Sequence, residues 1–351
     1  MLPEEHDLVH NWFRRHQHPD GHWGVPEAPF ACKSSPPCKI AGEDQYALLA
    51  NAMVAEASSR FNNLTQRSAI DWIKKQQRPD GLFVDPSHRQ FALTHLMSTI
   101  AMLRSDHYIE GPIDYVRLRH AVDALGRDDL SWPWSLRAPT SENAGLVTAM
   151  ALYMLRVLRD ENNYLTLGPG DVRGIEFDSR LENLFAKVAA ENYRIAKSRL
   201  PGSDGWSSDY VRRMITVPVA CAIVSVERRS DQPEHQHHLM QPGSDPLTLF
   251  CRAYLPSPDE RMDYVDLFVL WFLSEWIFDC PTHPIHHRWW EVHLNLGQNL
   301  RRTGCEIGST GPLSGQYLNG GSMMWTALVY LTLSECTRHF VVGVDAKAQR
   351  R

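Results

Sequence analysis

The chain has 351 residues, 43% of them hydrophobic and 22% charged, with a net charge of −5 and a sequence pI near 6.4. That length and composition suit a well-filled globular core. The acidic balance argues against a nucleic-acid partner, whose phosphates require a basic face. The N-terminus, Met1-Leu2-Pro3-Glu4-Glu5-His6-Asp7, lacks the basic and apolar regions of a secretory signal. The longest apolar run, Val265–Phe278, carries Asp266 and Glu275 and is too short to span a bilayer. These features predict a cytoplasmic protein with no transmembrane segment. The 7 cysteines read as free thiols of a reducing compartment, Cys32 and Cys38 included.

The first predicted helix, Glu4–Gln17, carries Leu8, Val9, Trp12 and Phe13 on one stripe. It ends in Gln17-His18-Pro19-Asp20-Gly21-His22-Trp23. The same signal returns as Gln77-Arg78-Pro79-Asp80-Gly81-Leu82-Phe83, with Gln, Pro-Asp-Gly and an aromatic at identical offsets. Proline stops the helix, Asp-Gly turns the chain with a positive φ at Gly, and the aromatic lies back over the helix end. The Gln amide is placed to bond loose backbone groups. Asp20, Asp80 and Asp204 are accordingly structural turn acids. Recurrence of such a device marks a helical repeat array.

Between the two copies lies a Pro-rich loop and then the mostly apolar helix Glu43–Ser59. Asn63–Gln77 is a second amphipathic helix, followed by the apolar helix His88–Arg104. Ile113–Leu125 and Glu142–Leu158 form the third pair, Asp178–Arg199 and Asp209–Val226 the fourth, with Pro218 breaking or kinking the latter. Pro246–Tyr254 and Met262–Phe278 form the fifth pair, and His287–Arg302 and Gly321–Thr337 the sixth. The tail, residues 345–351, is polar and expected to be disordered. Amphipathic and apolar helices alternate throughout, which predicts an all-α fold: a single α/α toroid over residues 1–351. Its six outer/inner helix pairs surround a central funnel.

The Gln-x-x-x-Gly-x-Trp signal of Gln17 to Trp23 resembles the repeat of squalene and oxidosqualene cyclases, class II diterpene cyclases and the β subunits of protein prenyltransferases. The stretch Ser68–Phe83, with Arg67 before it and the pair Trp72-Ile73 within it, is similar to the fuller pattern. This resemblance implies the α/α toroid and an isoprenoid-handling, terpenoid cyclase-like enzyme with acid-initiated, class II-like chemistry. Such an enzyme is an isomerase or lyase acting in an apolar funnel. The Asp-x-Asp-Asp acid of class II cyclases is missing; Ala41-Gly42-Glu43-Asp44 stands in its place. The prenyltransferase zinc pattern also fails, since Asp279 and Cys280 are adjacent and follow an inner helix.

Residues that open the inner helices are expected to ring one mouth of the funnel. Glu43 and Asp44 are the catalytic candidates, because a second carboxylate raises one apparent pKa of a pair and keeps a proton available. His88, Arg89, Glu142, Asn143, Asp209, Tyr210, Arg213, Asp263, Asp266, Tyr317 and Asn319 are the substrate-binding candidates. Each acid by itself also reads as a first-turn partner of its helix dipole. His235, His237 and His238, with His283, His286 and His287, read as solvated loop histidines, so no metal ligands and no cofactor are expected. Mg²⁺ enters only with a diphosphate substrate. Two other readings stand beside the cyclase: a carbohydrate-active toroid (polysaccharide lyase or glycosidase) and a non-catalytic binding toroid.

Overall fold

The described helices differ in how much of their surface meets water. In a computed structural model the chain is described at residues 3–23, 46–59, 64–88, 90–105, 115–125 and 321–348. Further described positions are 127, 147, 150, 151, 153–155, 183, 267, 268, 271, 274, 290, 291, 294, 296–300 and 309. Among the described residues the regular structure is helical and no β-strand occurs. The elements are α1 (Pro3–His16), α2 (Ala47–Ser58), α3 (Leu64–Gln76), α4 (Phe91–Ser105), α5 (Tyr115–Ala124) and α6 (Gly321–Ala348). No helix among the described residues is long and apolar enough to cross a membrane.

The fold falls into two compact units. One contains α2 to α5 and the first turn, Pro19–His22. Here α2 packs chiefly on α4, and α3 lies against both. Every residue of α2 from Leu49 to Ser58 is buried, as is every residue of α4 from Phe91 to Leu103. Short side chains such as Ala50, Ala52, Ala55 and Ala57 let α2 approach its neighbours on all sides. By contrast α3 buries only Thr65, Gln66, Ala69, Ile70 and Ile73 among its described side chains, spaced three or four apart on one face. Val147, Met150, Ala151 and Tyr153 to Leu155 are helical and buried, within the expected third inner helix, while the helical Asn183 is exposed.

Each Pro-Asp-Gly turn seats its glycine against the backbone of a later helix. The turn over Arg78 to Gly81 is closed by the Gly81 amide donating to the Arg78 carbonyl at 3.0 Å. Gly81 has φ +86°, and a Cβ there would meet the His120 carbonyl oxygen of α5 at 2.4 Å. Only glycine combines that backbone with so close an approach. Gln77 Nε2 donates to the Gly81 carbonyl at 3.0 Å and to the Arg117 carbonyl at 2.9 Å. The Arg117 guanidinium returns a hydrogen bond to the Lys74 carbonyl. The first turn repeats the arrangement: Gly21 has φ +103°, and its Cβ would meet the Ser68 carbonyl oxygen of α3 at 2.0 Å. We expect Gln77→Ala to lower unfolding free energy by about 1–2 kcal/mol, because two carbonyls lose a donor. Urea titration checks this, and an unchanged midpoint would show that the amide does not hold the turn.

The other unit contains α1, Trp23 and residues from 232 onward. Glu4 and Glu5 begin α1 and Arg14, Arg15 and His16 end it, matching charge to the helix dipole. Val9, Trp12, Phe13 and His16 form its buried face. Trp23 is fully buried, and its Nε1 donates to the Phe13 carbonyl at 2.8 Å, so the closing aromatic does lie back on the helix. The Tyr330 hydroxyl of α6 lies 2.6 Å from His6 Nδ1 of α1, which joins the first and last described helices. The described side chains of α6, Gly321 to Ser334, are all buried. Helix α6 continues to Ala348, past Thr337 where the sequence pattern ends it, so the start of the polar tail extends the helix. Leu267, Phe268 and Trp271 are helical and buried within the expected fifth inner helix. Trp290 and Leu294 are helical and exposed, on the expected sixth outer helix.

Candidate functional site

The starting ends of α2 and α4 meet. Tyr46, just before α2, accepts at its hydroxyl a 3.1 Å hydrogen bond from Gln90 Nε2, just before α4, and both residues are buried. Parallel neighbouring helices therefore present their N-terminal ends at one place, where the free N–H groups and the helix dipoles favour negative charge.

Of the expected catalytic and substrate-binding candidates, His88 lies within the described set. It is half-buried and stands outside α4 rather than in its first turn, because its Nδ1 accepts the Gln90 amide N–H at 3.1 Å and its carbonyl accepts the Phe91 N–H at 2.9 Å. His88 thus behaves as a helix-start cap. Glu43, Asp44, Arg89, Glu142, Asn143, Asp209, Tyr210, Arg213, Asp263, Asp266, Tyr317 and Asn319 lie outside the described residues, as do Asp204 and the two histidine-rich loops.

Below the meeting point α2 and α4 carry polar groups that the apolar sequence pattern does not single out. His95 on α4 is fully buried, and its Nε2–H donates to the Ala121 carbonyl of α5 at 3.0 Å. Its ring lies 5.6 Å from Phe83 and 6.3 Å from Phe91, stacked on the latter. Burial pushes the imidazole pKa down from 6.5 to about 4, against the opposing pull of the Ala121 hydrogen bond and the Asp80 charge. A neutral ring bridging two helices between aromatic neighbours is a structural tie. Glu56 on α2 is also fully buried. Asn51, Ser58, Thr94, Ser98 and Thr99 complete the buried polar set of α2 and α4, with Asn51 donating to the Ala47 carbonyl at 2.8 Å and Thr99 to the His95 carbonyl at 2.8 Å.

The turn acids hold the role expected of them: Asp20 Oδ1 accepts the His22 amide at 3.3 Å, and Asp80 Oδ1 accepts the Leu82 amide at 3.1 Å. Around Asp20, however, the first turn gathers His18 and His22 into a group with one ligand-type atom each, all within 4.8 Å of one another. Their alternate spacing, His-x-Asp-x-His, is the signal that reading Asp20 as a turn acid alone passes over.

No protein-family model matches the chain, and no curated protein sequence is significantly similar to it.

Proposed function

We propose that this chain is a cytoplasmic, terpenoid cyclase-like protein whose six helix pairs close into one ring around an apolar funnel. In this reading a carboxylic acid at the mouth protonates an isoprenoid. The observation that carries the reading is the buried Tyr46–Gln90 hydrogen bond between the starting ends of two helices that are buried over most of their length. Glu43 and Asp44 immediately precede that end of α2 in sequence. Further support comes from the repeated turns, which seat on α3 and on α5, and from the His6–Tyr330 bond between the first and last described helices. The described inner-helix surface is dominated by Leu, Met, Ala, Val and Phe, the lining a carbocation needs where water must be kept out.

In the proposed step the Glu43 carboxyl donates its proton to a substrate alkene, and Asp44 beside it keeps that proton available at neutral pH. Arg89, Glu142, Asn143, Asp209, Tyr210, Arg213, Asp263, Asp266, Tyr317 and Asn319, with His88, would position the substrate at the mouth. No metal takes part in the protonation, and Mg²⁺ would accompany a diphosphate group only.

Glu43→Gln tests the assignment. With squalene and geranylgeranyl diphosphate as substrates, we expect wild-type protein to yield cyclised product by mass spectrometry and Glu43→Gln to yield none while keeping its helical signal. Turnover by Glu43→Gln at the wild-type rate would remove Glu43 from the mechanism. Cleavage of a uronic-acid glycan in place of polyprene turnover would replace the cyclase reading by the carbohydrate-active one.

A further inference from the structure

The two Pro-Asp-Gly turns share one backbone and differ in what flanks the acid. At the second turn Arg78 stands two residues before Asp80 and pairs with it at 3.3 Å, while the apolar Leu82 follows and is buried. At the first turn the matching positions are His18 and His22. His22 is buried and stacks on Trp72 of α3, with ring centroids 5.3 Å apart and planes at 28°. Its Nδ1 also touches Asp20 Oδ1. Asp20 is exposed and His18 half-buried, so the cluster is open to solvent on one side. Arg78 flanks Asp80 on one side, and two imidazoles flank Asp20.

We propose that His18, Asp20 and His22 bind a divalent transition cation of the zinc class, which braces the first turn as Arg78 braces the second. The inference is independent of the isoprenoid reading. Two imidazoles and one carboxylate form a nitrogen-rich, borderline ligand set that suits Zn²⁺ and its neighbours, whereas Mg²⁺ and Ca²⁺ take oxygen ligands. Zinc bonds of about 2.0–2.1 Å in a tetrahedral site put ligand atoms roughly 3.4 Å apart. Closing the 4.8 Å span to that distance takes rotation of the exposed Asp20 and half-buried His18, while Trp72 keeps the His22 ring in place. Three protein ligands leave a fourth position for water.

The test is calorimetric titration of Zn²⁺ into the full chain after chelator treatment. We expect one high-affinity ion per chain for wild type and for a control with His235, His237 and His238 all changed to Ala. The double variant His18→Arg/His22→Leu, which carries the second turn's own flanking residues, should lose that ion yet keep the wild-type helical signal. Asp20→Asn retains an oxygen for the His22 amide and should bind Zn²⁺ more weakly. Zn²⁺ should raise the melting temperature of wild type, since binding to the folded state stabilises it, and leave that of the double variant unchanged. Absence of Zn²⁺ binding in wild type overturns the proposal, and so does an ion that survives His18→Arg/His22→Leu.

Discussion

Gly81→Val is expected to lower the unfolding free energy by about 4 kcal/mol. Two costs add. A β-branched residue at φ +86° is strained, which costs about 1–3 kcal/mol. Its Cβ would also stand 2.4 Å from the His120 carbonyl oxygen, and backbone within α5 cannot move aside without shifting the helix, about 1–3 kcal/mol more. Gly21→Val meets the Ser68 carbonyl in the same way and should behave alike. Urea denaturation followed by circular dichroism measures both. If Gly81→Val unfolds at the wild-type midpoint, the turn does not seat on α5 as described.

The second large effect is a dependence of stability on pH that belongs to His95. Its folded-state pKa, about 4, lies below the ordinary 6.5, because burial disfavours the charged ring. Between those values the unfolded chain binds a proton that the folded chain does not, so stability rises with pH. The full contribution is present above about pH 6.5, and about 3 kcal/mol is lost as pH falls to about 4. His95→Gln keeps a donor for the Ala121 carbonyl and carries no titrating group. The difference in unfolding free energy between wild type and His95→Gln should therefore change by about 3 kcal/mol across this window and stay level above it. A level difference throughout would mean that His95 is charged or solvated in the folded protein.

The turns were legible because their chemistry is local: Pro79 stops the helix, Asp80 takes the next free amide, and Gly81 supplies the positive φ. The difference between α2 and α3 was legible too, since α2 reads as apolar on most sides and α3 as amphipathic. Helix starts were harder to read. Phe91, not His88, starts α4, because the bonds from the Gln90 N–H to His88 Nδ1 and from the Phe91 N–H to the His88 carbonyl occupy the preceding residues. His95 and Glu56 sit on helices that read as apolar, and nothing in a periodic pattern distinguishes a buried histidine that bonds Ala121 from one that faces a cavity. That distinction depends on residue 121, 26 positions away. The first turn's histidines become conspicuous only when its sequence is laid over the second's, where Arg78 and Leu82 occupy their places.

Native mass spectrometry of the purified full chain shows whether an apolar funnel holds an isoprenoid. The chain would be titrated separately with geranylgeranyl diphosphate and with an oligogalacturonate of similar mass. The account predicts a one-to-one complex with the polyprene, at concentrations where the glycan leaves the chain unbound. A one-to-one complex with the glycan and none with the polyprene would contradict it.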